Sequence, residues 1–230
     1  MSEFLQNATY FGVLLSLGSY FLGMLLKKKL KKGIFNPLLI ATVVTILALL
    51  VLRVDYDSYY AGAKYLSYLL TPATICLAVP LYEQFALLRQ NYKAILLGIF
   101  AGVVTSLCTI FLLSLLFRLG HTDYVTLLPK SITTAIGMGV SEELGGYVPL
   151  TVAVILITGV LGNVLAETVL KLFRITNPMA KGVAIGTASH AIGTTKAMEL
   201  GDVEGAMSSL SILVAGLLTV AGASLMAGLI

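Results

Sequence analysis

Six ionisable side chains stand in stretches that are otherwise apolar, small or hydroxylic: Lys130, Glu142, Glu143, His190, Lys196 and Glu199. An ionisable group at membrane depth is costly and by default faces a partner or a wet cavity, so each is a candidate for function. Lys130 follows Pro129 and precedes Ser131, Thr133 and Thr134. A half-helix start that brings a cation, hydroxyls and free backbone N–H groups together is suited to holding a small anion. The stretch from Gly186 to Lys196, with Thr187, Ser189, His190 and Thr194, offers the same mixture. The expected anion-binding set is therefore Lys130, Ser131, Thr133, Thr134, Thr187, Ser189, His190 and Thr194. Glu143, His190, Lys196 and Glu199 are candidates for proton coupling or gating.

Plainer readings stand beside these. Glu142 and Glu143 also fit the aqueous end of a polar segment. Glu167 lies four residues after Asn163 and four before Lys171, and Lys196 lies three before Glu199; ordinary helix-surface pairs explain those spacings equally well. His190 suits a buried structural ring as well as a pathway. Catalysis has little support, because the sequence holds no Gly-x-Ser-x-Gly, His-Glu-x-x-His or nucleotide-binding fingerprint. Ser189 and His190 are adjacent, and neighbours on a helix point about 100° apart. Cys76 and Cys108 sit in apolar runs without metal-ligand spacing, so no metal, cofactor or disulfide is expected.

The elements that must carry these residues follow from composition. Hydrophobic residues make up 58% of the 230 and charged ones 11%, with a mean hydropathy of +0.96. A soluble domain carries roughly 25% charge, so this composition belongs to a membrane protein. At about 20 residues per crossing, the length allows roughly six to eight membrane segments and no separate soluble domain. The net charge of +4 comes from short basic clusters beside apolar runs, which the positive-inside rule explains better than nucleic-acid binding.

The run from Tyr10 to Leu26 ends in a cluster from Lys27 to Lys32, and Met1-Ser2-Glu3 before it holds no Lys or Arg. That predicts an amino terminus outside and a retained span, not a cleaved leader. Pro37 to Leu52 leads back out to a loop with Asp55, Asp57 and tyrosines 56, 59 and 60. Leu66 to Leu88 returns inward, broken at Pro72 and Pro80, whose freed carbonyls either meet neighbours such as Thr74 or line a passage. Arg89 to Lys93 is an inner loop and Ala94 to Phe117 an outward span. The polar segment from Leu127 to Gly146, broken at Pro129, cannot be a plain lipid-facing helix. If it dips in and returns, Val148 to Leu170 then brings Lys171, Arg174 and Lys181 inside, in keeping with the charge rule.

An internal repeat supports the dip. Ala135-Ile136-Gly137, five residues, then Glu143-Leu144-Gly145 recurs as Ala191-Ile192-Gly193, five residues, then Glu199-Leu200-Gly201, 56 residues further on. Each copy precedes an apolar run. A repeated unit of polar segment plus one span must enter from alternating faces, which is the inverted repeat of many secondary transporters. The expected fold is thus an all-α polytopic membrane protein of about six to eight segments, some broken or re-entrant. A single domain over 1–230 would comprise scaffold spans in 1–65, a proline-broken helix plus span in 66–118, and repeated units in 124–172 and 180–230.

Three strings are diagnostic: Leu127-Leu128-Pro129-Lys130-Ser131-Ile132-Thr133-Thr134, Ser141-Glu142-Glu143-Leu144-Gly145-Gly146, and Gly186-Thr187-Ala188-Ser189-His190-Ala191-Ile192-Gly193-Thr194. With Pro72-Ala73-Thr74 through Pro80-Leu81-Tyr82, they resemble the LrgB/CidB family along essentially the whole chain. The resemblance implies a bacterial inner-membrane protein of holin- or antiholin-like description, linked to murein hydrolases, autolysis and programmed cell death. It also implies a smaller LrgA- or CidA-type membrane partner. Relatives are associated with pyruvate uptake, and a plastid relative with glycolate and glycerate exchange. The reading taken forward is a carrier of a small monocarboxylate, homodimeric by architecture, in a lipid bilayer. The rival is a pore or lysis regulator acting by oligomerisation.

Overall fold

The computed structural model describes residues 10–30, 37–76 and 78–230, except for the side chains of residues 70, 71, 74, 80 and 81. The residues Met1-Ser2-Glu3 and Lys31-Lys32, on which the amino-terminal orientation partly rests, lie outside the described residues. Secondary structure among the described residues is entirely helical. Contacts divide the chain into two units, Met1–Cys76 and Leu77–Ile230.

The first unit holds α1 (Phe11–Leu30), α2 (Pro37–Leu52), α3 (Tyr56–Ser67) and α4 (Leu70–Cys76). Gly12 lets α1 meet the backbone of Tyr59 and Ala63 on α3, and the Ser16 and Tyr59 hydroxyls bond at 2.7 Å. The tyrosine-rich stretch expected as a loop is thus a helix. Its start is fixed by Asp55, whose carboxylate accepts from the Ser58 N–H at 2.8 Å and the Ser58 hydroxyl at 2.9 Å, closing the first turn. Those bonds, backbone first, hold the Asp55 carboxyl below its usual range. Residues 56 and 60 are a helical turn apart, and their rings stack at 5.8 Å.

The expected span from Leu66 to Leu88 is likewise revised. Pro72 falls in the first turn of α4, and Pro80 in the first turn of α5 (Ala78–Glu83), where a missing N–H leaves no bond unmade. Prolines eight apart divide the run into short helices. Arg89 to Lys93, expected as a loop, lies inside α6 (Phe85–Phe117). At 33 residues α6 is about 50 Å long, against a hydrocarbon core of roughly 30 Å. One end can therefore carry polar residues without leaving the helix.

The second unit continues with α7 (His121–Leu127), α8 (Thr134–Glu143), α9 (Val148–Leu172), α10 (Pro178–Leu200) and α11 (Asp202–Met226). Among the described residues four helices, α1, α6, α9 and α11, are long and apolar enough to cross a membrane, and α2 is a shorter apolar helix. The buried stripe of α6, Ile95, Ile99, Val103, Leu107 and Ile110, enters a core with Tyr124, Val183, Met207 and Ala215. The outward faces stay apolar: Leu97, Phe100, Leu112, Leu116, Leu217 and Leu225 are exposed. A helix that is apolar all round suits a lipid surrounding.

Two helical hairpins pack on the long helices. In the first, α7 and α8 are joined through residues 128–133. The Thr151 hydroxyl on α9 donates to the Thr126 carbonyl at 3.0 Å and shares a 2.7 Å bond with the Ser141 hydroxyl. Four residues further along α9, Ile155 meets Gly137, which is also 3.5 Å from the Pro129 carbonyl when given a Cβ. The chain therefore runs along α9 through α7, turns at 129–133, and comes back through α8. The second hairpin is α10 itself, whose backbone breaks at His190 (φ 43°, ψ −142°). Gly182 and Gly186 lie against Glu204 and Ser208 of α11, whereas Thr194 and Met198 pass Ser208 and Gly205 in the opposite sense.

Candidate functional site

A stripe of small residues on α6, Ala94, Gly98, Gly102 and Ser106, recurs every fourth position and lets the first arm of α10 come close. A Cβ on Gly102 would stand 2.7 Å from Thr187 Cγ2, and one on Gly98 would stand 3.4 Å from Val183 Cγ1. Where the small side chains leave room, α6, the turn of the first hairpin and the first arm of α10 line a half-open cavity of about 710 Å³. Its lining includes Lys130 and Ser131 from the turn, Thr105, Ser106 and Thr109 from α6, and Thr187 from α10.

Pro129 ends the first arm and puts Lys130 at the turn. The ammonium donates to Ser131 Oγ at 2.9 Å and approaches Ser106 Oγ at 3.4 Å, and the two serine oxygens are 3.3 Å apart. Ion pairs among the described residues join Lys171, Lys181 and Lys196 to carboxylates and leave Lys130 with hydroxyl partners alone. Thr187 is 6% exposed, and its hydroxyl has no hydrogen-bond partner. The Thr187 oxygen is itself covered and does not open onto the cavity, so the polar groups offered to a guest are the Lys130 ammonium, with a third N–H to spare, and the serine hydroxyls beside it.

The other expected site residues lie elsewhere. Thr133 stands just before α8 without a side-chain capping bond and Thr134 begins it, both half-buried and off the cavity wall. Ser189 is pressed against Gly162 of α9. The His190 Nε2–H donates to the Ile155 carbonyl at 3.1 Å, and the ring fills the space that Gly159 leaves open. Thr194 donates to the His190 carbonyl at 3.0 Å and shares a 2.7 Å bond with the Ser208 hydroxyl. Thus three of the anion-binding set, Lys130, Ser131 and Thr187, share the cavity, while Ser189, His190 and Thr194 fasten the second hairpin to α9 and α11.

Glu142 and Glu143 are exposed at the end of α8. Lys196 pairs with Glu167 at 2.6 Å and Glu199 at 3.0 Å, and Glu167 reaches Lys171 at 3.4 Å. The spacings that suggested simple helix pairs are both realised, linked through Lys196. Sequence reasoning missed Ser106, Gly98 and Gly102, which it left inside an anonymous span. The available signal was the four-residue rhythm of small side chains.

Residues 16–229 match the model of the LrgB-like family, which covers most of the chain. No solved structure matches it.

Proposed function

Because the chain belongs to the LrgB-like family of membrane proteins, we propose that it is a secondary carrier for small monocarboxylates. The observation that carries this reading is the cavity in which the unpaired Lys130 ammonium and the Ser131 and Ser106 hydroxyls converge. The carboxylate binds Lys130 and the serines. Nothing in this scheme requires a covalent step, so the protein acts without catalysis.

The two hairpins also support an inverted repeat. In each, the first arm runs with the span that follows and the second runs against it. The first hairpin has its open end beside Thr151, near the start of α9, whereas Leu170 and Glu167, near the end of α9, contact the second. Ile155 meets Gly137, just past the first turn, and His190 at the second. The sequence repeat lies at equivalent points, with Ala135-Ile136-Gly137 and Ala191-Ile192-Gly193 each opening a returning arm. In a bacterial inner membrane, with the amino terminus outside, alternating access follows as the hairpins shift around the cavity. The carrier works as a homodimer alongside an LrgA- or CidA-type partner.

Family membership also fits a membrane protein linked to control of lysis, and a holin-like pore is the competing reading. Reconstitution into liposomes separates the two. A carrier gives saturable, competable pyruvate or glycolate uptake that Lys130→Ala abolishes. Unsaturable flux with release of unrelated dyes rejects the carrier. With Cys76 and Cys108 replaced, single cysteines at Lys171 and Glu143 label from opposite faces; labelling from one face removes the crossing of α9 and with it the inverted repeat.

A further inference from the structure

The cavity is several times larger than a two- or three-carbon acid. Pyruvate has six heavy atoms, and allowing each the ~30 Å³ of a liquid water gives about 180 Å³, against about 710 Å³ of space. The remainder extends along α6, away from Lys130. The lining runs from Ser106 back to Asn91, which is about 22 Å of helix.

The walls of that extension are apolar, formed by Ala94, Ile95, Gly98, Met179, Val183 and Ala184. Its polar side chains each make one bond to nearby backbone. Asn91 donates to the Leu87 carbonyl at 3.0 Å, Thr105 donates to the Ala101 carbonyl at 2.7 Å, and Asn177 accepts from the Ala180 N–H at 3.2 Å. Among the described residues the lining's one charged side chain is Lys130, and the amide capacity that Asn91 and Asn177 keep lies at the far end, beyond the apolar stretch. The cavity is itself amphipathic, with a cationic head and an apolar throat.

On the reading that the site binds carboxylates, we propose that its preferred ligands are monocarboxylates carrying an apolar chain of several carbons. The carboxylate sits on Lys130 and Ser131, and the chain lies along Ile95, Gly98, Val183 and Ala184. A membrane phospholipid does not satisfy both ends. Ser106 is eleven residues from the end of α6, about 16 Å, which is half a hydrocarbon core, so a headgroup held at the interface stays clear of Lys130.

The test is a homologous series of straight-chain 2-oxo acids, from three to eight carbons, bound to the purified protein in lipid nanodiscs and read by thermal stabilisation. Methyl esters of the same acids serve as uncharged controls. The apparent Kd should fall about fourfold for each of the first added methylenes, and the esters should not bind. Ala184→Phe and, independently, Ala94→Phe should flatten the dependence on chain length by filling the throat. A Kd that is unchanged or rises beyond three carbons overturns the apolar-chain proposal and leaves the carrier reading standing. Esters that bind as well as acids also overturn it. Binding that tightens with length, without saturable uptake into liposomes, upholds the ligand class and rejects the carrier.

Discussion

Replacing Lys130 with methionine should move two observables in opposite directions. The ammonium is half-buried and meets only the hydroxyls of Ser131 and Ser106, so on the proposed function its charge serves a guest and not the fold. In the liganded protein, removal deletes a charge-assisted hydrogen bond worth about 1.5–3 kcal/mol, a loss of roughly 10- to 150-fold in affinity. In the empty protein, removal relieves an under-matched charge, a gain of about 1–3 kcal/mol. At roughly 2–4 °C per kcal/mol for a chain of this size, the variant should melt several degrees higher. Ser106 and Ser131 remain bonded to each other at 3.3 Å, so no new orphan is created. Unfolding of Lys130→Met and the parent protein, each with and without carboxylate, gives both quantities from one set of scans. A variant that melts lower while binding carboxylate equally well would make Lys130 a structural residue and refute the reasoning.

Other outcomes follow from the packing. Gly159→Ala places a methyl 2.7 Å from His190 Cε1 and 2.9 Å from Ile192 Cβ, so thermal unfolding should register a loss of about 1–3 kcal/mol. Gly139→Ala meets nothing within 4 Å and should gain up to about 1 kcal/mol from helix propensity. Thr194→Val strands the Ser208 hydroxyl at a cost of about 1–3 kcal/mol, and adding Ser208→Ala should recover part of it; an additive double variant contradicts the assigned bond. Lys171→Met breaks an exposed pair and should change stability by less than about 1 kcal/mol, fading in salt. Lys181→Met should be worse, because its partner Glu204 is 6% exposed.

Sequence reasoning worked best where one chemical constraint dominated. Pro129, the charges beyond Leu170 and the Ala-Ile-Gly repeat pointed to a reversal before α9, and residues 129–133 do turn the chain back. It failed where two residue classes share one helix. Arg89 and Lys93 looked like a loop because polarity interrupts the apolar run, yet a helix longer than the bilayer tolerates polarity at one end. The tyrosines after Asp55 looked like an interfacial loop, although Asp55 and Ser58 form a cap. The hydroxyls near His190 had the right chemistry for an anion, but which of them face a cavity depends on the partner helices. Asn163, whose amide donates to the Ile192 carbonyl at 2.8 Å, was noticed only for its spacing from Glu167.

The clasp between His190 and Ile155 has a consequence for biogenesis. His190 holds a left-handed backbone conformation that most side-chain-bearing residues avoid, and its ring is anchored to a carbonyl 35 positions earlier. Synthesis proceeds from the amino end, so α9 is already made when the later reversal emerges. The reversal is thus moulded on a surface that precedes it, with Gly159 and Gly162 as the hollows of the mould. A permuted gene that delivered α10 ahead of α9 would ask that segment to bend unaided.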